Sequence, residues 1–240
     1  MTTLAKITIS LILALFLSSC GLDINFGDGK KGNGTVATET RTVTEDFTAV
    51  TASEGLDVFV VQGKTLGIEV EADENIIDLI GTDIKNGRLT IHAIENIGKA
   101  TKTVRVTLPE ITALESSSGA DLIVENAIEA DKIDLDATSG ADLEVELSAN
   151  EINASASSGA DITVSGKVNV LFADASSGAD ISAKELLSKI CHAEASSGAD
   201  ISVNISESLT ADASSGGDIS YIGEGNVQKN KSSSGSVHKL

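Results

Sequence analysis

Six aspartates recur through the second half of this 240-residue chain at steps of 18 to 21 residues: Asp121, Asp142, Asp161, Asp180, Asp200 and Asp218. Each closes a five-residue motif, SSGAD at residues 117–121 and close copies beginning at Thr138, Ser157, Ser176, Ser196 and Ser214, with a decayed SSGSV at 233–237. If the copies stack, their carboxylates form one column about 4.8 Å apart. Like charges at that spacing repel by under about 1 kcal/mol in water and several-fold more where water is partly excluded. Something must offset this. One reading is a cation-binding column, since calcium takes about six to eight oxygen ligands. The other is turn capping, in which each aspartate accepts hydrogen bonds from backbone amides at its own bend, as Asp and Ser do in turns. One aspartate per coil supplies few ligands, and the GGxGxD repeat of calcium rolls is absent. Capping is therefore favoured, no cofactor is expected, and calcium is the single candidate.

Other chemistry finds less support. A glycoside hydrolase needs two carboxylates at a set distance with one of them perturbed, whereas the repeat multiplies carboxylates in near-identical surroundings. Lyase chemistry wants a basic group, and Lys132, Lys167, Lys184 and Lys189 do not recur in register. No catalytic residue is assigned. His92, His192 and His238 lack metal-ligand spacing. Cys191 falls on the apolar parity, where a thiol packs as a small hydrophobe. Phe172 falls on the polar parity as a single exposed aromatic. With no Trp and one Tyr, Tyr221, an aromatic platform for sugars is not expected.

The elements that position these residues follow from alternation. Before each glycine one parity reads Ile133, Leu135, Ala137, then Ile152, Ala154, Ala156, then Leu171, Ala173, Ala175; after it come Ala120, Leu122, Val124 or Ala160, Ile162, Val164. The other parity is mostly Asp, Glu, Asn, Ser and Thr. Period two means short strands with one face inward. A single repeat cannot bury its apolar face alone, but stacked copies can. The expected fold is all-β: a right-handed single-stranded parallel β-helix, or solenoid, with coils of about 19 residues. Handedness follows from the general rule for crossovers between parallel strands.

The N-terminus carries Lys6, an apolar run from Ile7 to Leu17, and Leu17-Ser18-Ser19-Cys20. The run is too short to span a bilayer and has the form of a secretory signal peptide. It is similar to a bacterial lipobox, which implies cleavage before Cys20, acylation there, and the bilayer as a partner. The expected organisation is a signal peptide at 1–19, a glycine-rich flexible tether at 20–37, irregular N-terminal β coils or a cap at 38–110, and the regular solenoid at 111–240. Strands are expected around Val58, Ile68, Leu89 and Val106, while Asp73 to Ile84 is open between a short helix and a loop. The 36 acidic against 17 basic residues make nucleic acid and anionic lipid surfaces poor partners.

The segments Val43-Thr44-Glu45-Asp46-Phe47-Thr48-Ala49-Val50, Gly55-Leu56-Asp57-Val58, Gly67-Ile68-Glu69-Val70, Asn86-Gly87-Arg88-Leu89-Thr90-Ile91 and Val106-Thr107-Leu108-Pro109 resemble the putative auto-transporter adhesin, head GIN domain family. The resemblance implies an exported protein or lipoprotein with a β-helical body, a location at the outer membrane or cell surface, and no defined catalytic residues. The expected function is a non-catalytic adhesion, binding or structural module meeting a protein or glycan partner. The alternative is a carbohydrate-active β-helix enzyme with an acidic groove.

Overall fold

A computed structural model of the chain describes residues 29–230 and 234–240. The expected signal peptide and the lipidation site Cys20 lie outside the described residues. The N-terminal region holds β1 (Val36–Arg41), β2 (Ala49–Ala52), β3 (Asp57–Gln62), β4 (Gly67–Asp73), β5 (Ile80–Lys85), β6 (Arg88–Ala93) and β7 (Lys102–Leu108). The repeat region holds β8 (Ala113–Ser117), β9 (Asp121–Val124), β10 (Ile128–Thr138), β11 (Asp142–Ser157), β12 (Asp161–Ser176), β13 (Asp180–Ala195), β14 (Asp200–Ala213), β15 (Asp218–Ile222), β16 (Asn226–Lys229) and β17 (Ser236–Lys239). These strands form one continuous sheet wound into a β-solenoid of about seven turns with coils of about 19 residues.

Alternation produces the core directly. Val58, Leu122, Leu143, Ile162, Ile181, Ile201, Ile219 and Val237 are successive register partners down one inner wall. Ile133, Ile152, Leu171, Cys191, Leu209 and Val227 do the same on the opposing wall. Each fully buried Leu, Ile or Val contributes roughly 1.5–3 kcal/mol relative to exposure, so the coils are held chiefly by their contacts with the coils above and below.

Two edges join the walls, and they differ. At the SSGAD edge Ser118 and Gly119 have φ of 54° and 70°, and the Ala120 amide donates to the Ser117 carbonyl at 3.2 Å. Two successive positive φ values closed by that bond make a type I′ turn. The pair recurs at Ser139–Gly140, Ser158–Gly159, Ser177–Gly178, Ser197–Gly198 and Ser215–Gly216, and the closing bond recurs at three of these corners, from the Ala179, Ala199 and Gly217 amides to the Ser176, Ser196 and Ser214 carbonyls. At the other edge β11 to β14 run on through a bend, and register shifts appear between Thr163 and Gly166 and between Ala183 and Leu187. Differences in coil length are absorbed there as bulges. At Gly166 the approach is so close that a Cβ would run into the Leu147 carbonyl.

The N-terminal region is threaded out of chain order. Parallel strand β2 lies between β6 and β8, and parallel β3 lies between β7 and β9. One coil of the solenoid, β2–β3, is thus laid down first, and the later strands β6 and β7 stack on its far side. Antiparallel partners finish that end, β5 on β6 and β4 then β1 on β7. Between Asp73 and Ile84 the chain makes one 3-10 turn, Ile77–Leu79, and then enters β5.

The expected tether through residue 37 needs correction over its described part. The Lys30 amide donates to the Asn96 carbonyl at 2.9 Å, the Gly32 amide to the Lys99 carbonyl at 3.0 Å, and β1 begins at Val36. The physical reason is Asp73, buried to 3% exposure, whose carboxylate accepts from the Gly34 amide at 2.5 Å and the Thr101 amide at 2.7 Å. A buried charge of this kind requires such donors, and it draws the glycine-rich segment onto the cap.

Candidate functional site

Asp121, Asp142, Asp161, Asp180, Asp200 and Asp218 are register partners in one column on the outer face. A seventh member, Asp57, pairs with Asp121. Its motif is Ser53-Glu54-Gly55-Leu56-Asp57, and Glu54 and Gly55 take φ of 62° and 67°, the same turn as the SSGAD corners. The serine, the glycine and the aspartate of SEGLD were the signal for it in the sequence.

The column concentrates charge. Burial, then the charges of Asp142 and Asp57, hold the Asp121 carboxyl above the ordinary range, with Lys102 acting in the opposite sense. Burial, then Asp200 and Asp161, does the same to Asp180. The positive-φ pair turns the chain at each corner, a backbone bond closes those at residues 117–120, 176–179, 196–199 and 214–217, and the turn amides of Gly119, Gly140 and Gly159 donate to the next corner at Ser139, Ser158 and Ser177. Among the described residues no column carboxylate accepts from an amide of its own turn, and Asp218 instead meets His238 Nδ1 at 3.2 Å. Nor do the described residues contain a group of three or more His, Cys, Asp or Glu placed to hold a metal ion.

On the opposite outer face, Asp134, Asn153, Phe172, His192, Thr210 and Gln228 form a column of register partners. Here the expectation of isolated surface residues is corrected. The rings of Phe172 and His192 stack with centroids 5.0 Å apart and planes 11° apart. They are 20 positions apart, one coil in this part of the repeat, so parallel stacking brings them together. Asn153, Ser155, Asp174 and Glu194 complete a hollow of about 280 Å³ beside them.

A longer groove of about 780 Å³ follows the irregular edge across β10 to β14. Asn150 and Asn169 ladder along it, with Asn150 donating to Asp131 at 2.5 Å and Asn169 donating to Asn150 at 2.7 Å, and Lys167 and Lys189 also line it. The sequence signal for this groove is the 19-residue spacing of Asp131, Asn150 and Asn169, which the repeat reading did not single out.

The remaining candidates have structural roles. Cys191 is fully buried, and burial pushes its thiol up to about 12, so it is core. His92 pairs with Asp83 at 2.7 Å on the cap. Besides Asp121 and Asp180, Asp136 is raised, by burial and then by Glu115. None of these three lines either hollow. Among the described residues no helix is long and apolar enough to cross a membrane.

Comparison with known proteins agrees with this architecture. A sequence profile described as putative auto-transporter adhesin, head GIN domain, matches residues 46–225. A search of the curated proteins finds no match. Among solved structures, a putative adhesin from Bacteroides fragilis superposes with a TM-score of 0.78 at 18% identity, covering 88% of this chain and 100% of that one. A putative adhesin from Parabacteroides merdae gives 0.72 at 20% identity, covering 89% and 100%. A structure named putative lipid binding protein, from Parabacteroides distasonis, gives 0.71 at 19% identity, covering 88% and 98%. At these identities the structural likeness establishes the fold alone.

Proposed function

Since the chain belongs to the putative auto-transporter adhesin, head GIN domain family, we propose that it is a non-catalytic adhesion module. In this reading it is displayed at the cell surface, exported by its signal peptide and held on the outer membrane by acylation at Cys20. The observation that carries the proposal is the solenoid itself: a long wall of regularly spaced polar columns, interrupted by one ring pair and one edge groove. Such a wall suits recognition of a protein or glycan surface, because many equivalent rungs present side chains at a fixed pitch. The raised carboxylates lie away from both hollows, which supports binding over hydrolysis.

The test is adhesion by the mature chain. Beads coated with residues 21–240 are expected to adhere to a mucin or extracellular-matrix film more strongly than beads coated with heat-unfolded protein. Equal adhesion removes the proposal. The enzymatic alternative is checked on the same material by release of reducing ends from neutral and acidic polysaccharides, where turnover would replace the adhesion reading. Anchoring is tested separately: Cys20→Ser is expected to move the chain from the membrane fraction to the soluble fraction.

A further inference from the structure

We infer that the Phe172–His192 ring pair, with Asp174, Glu194 and Asn153, is a carbohydrate-binding subsite that takes one neutral sugar ring. The inference deepens the adhesion reading, on which it rests for its biological use.

The described aromatic side chains differ in what covers them. Phe47 is buried, Arg105 lies over the Phe59 ring at 4.9 Å, and Lys229 lies over Tyr221 at 5.7 Å. Phe172, 40% exposed, is covered on one face by His192. Together with His192 it lines the hollow, which runs across β11 to β13 between the outward residues Asn153, Phe172 and His192 and the outward residues Ser155, Asp174 and Glu194. The exposed part of the Phe172 ring, with the imidazole stacked on it, forms one wall of that hollow.

The polar groups around that wall suit a sugar. A pyranose has a face of C–H groups that packs on an aromatic ring, and a rim of hydroxyls that donate to carboxylates. Asp174 and Glu194 stand one outward position further along the same strands. Asn153 spends its amide NH on Asp134 at 2.8 Å, which leaves its side-chain oxygen as an acceptor. The hollow of about 280 Å³ lies at the small end of ligand sites, about 300 Å³ and upward, which suits one ring of a longer glycan. The two flanking carboxylates, on a chain of net charge −19, disfavour a sugar acid. The hollow itself is too small for a protein partner, whose stable interface needs roughly 800 Å² a side.

The test uses residues 21–240 with cellotetraose, maltotetraose and chitotetraose as neutral probes, trigalacturonate as an acidic probe and tetralysine as a basic one. Binding is read by saturation-transfer NMR and calorimetry. At least one neutral probe is expected to bind, Phe172→Ala to weaken it about tenfold, the order of one aromatic contact, and Phe172→Tyr to retain it. Thr210→Ala, in the same column, is expected to leave it unchanged. Phe172 is on the surface, and thermal unfolding verifies that each variant is folded. The inference fails if none of the neutral probes binds, or if the affinity is unchanged in Phe172→Ala. It also fails if tetralysine alone binds and Asp174→Asn with Glu194→Gln abolishes that. Bead adhesion separates the two readings: adhesion that persists in Phe172→Ala without sugar binding sinks the subsite and keeps the module, whereas sugar binding without adhesion does the reverse.

Discussion

Asp180 and Asp200 are register partners on adjacent coils, and after burial the charge of Asp200 is the largest influence raising the Asp180 carboxyl. A carboxyl raised in the folded state binds its proton more tightly there than in the unfolded chain. Its contribution to stability is thus greatest below the unfolded value, declines as pH rises through the folded value, and stays unfavourable at neutral pH. Asp180→Asn is expected to raise the thermal midpoint at pH 7, and the gap from the parent should close as pH falls through the carboxylate range. Added salt should narrow it too, since the screening length is about 8 Å at physiological ionic strength. A midpoint lowered by the substitution at neutral pH would contradict the repulsion.

Gly217 stands where five of the six SSGAD-type copies have alanine, so Gly217→Ala restores the repeat. It is nevertheless expected to destabilise the protein. A Cβ there would lie 2.5 Å from the Ala195 carbonyl oxygen. Overpacking of this order costs about 1–3 kcal/mol, measurable by denaturant unfolding. A neutral or stabilising result would mean that the corner relaxes outward.

Cys191 offers a test of the core without mutation. With the thiol buried and pushed up to about 12, iodoacetamide at pH 8 should leave it unmodified in the native protein and alkylate it in denaturant. Mass spectrometry of both samples decides it, and rapid native labelling would show that β13 opens.

Asp73→Ala should loosen the cap. The substitution removes the acceptor for the Gly34 and Thr101 amides, and hydrogen bonds to a charged group contribute about 1.5–3 kcal/mol. Hydrogen exchange is expected to accelerate in β1 and in residues 29–35, while β11 to β14 remain protected. Uniform acceleration along the chain would instead make the cap and the coils one cooperative unit.

These residues show what was legible in the sequence. Inward and outward parity is a local property, so the core walls, the aspartate column and the buried Cys191 could be read from alternation and spacing. Partners across a long insertion could not. Asp57 and its corner are separated from Asp121 by the segment that forms β4 to β7, and nothing local announces that β3 stacks on β9. The Phe172–His192 contact was accessible in principle, being one coil apart, but it needs the register of that coil, and coil lengths vary. The edge groove left a partial trace in the 19-residue spacing of Asp131, Asn150 and Asn169, whereas the docking of residues 29–35 depends on one buried side chain, Asp73, which leaves no period.

The order in which β2–β3 is sandwiched, with β6–β7 on one side and β8–β9 on the other, makes the rod mechanically polar. Strands lie across the axis, so tension applied between the two ends peels rungs in sequence. The C-terminal end, closed by the short strands β16 and β17, can unwind one coil at a time, releasing about 65 Å of extended chain per coil at roughly 3.4 Å per residue. At the other end, among the described residues, β1 rests on β4 alone and can come away, but the coil β2–β3 that follows it is pinned between later strands. Pulled between its two ends, the rod would give a series of small yields at the C-terminal end and hold at the sandwiched coil β2–β3.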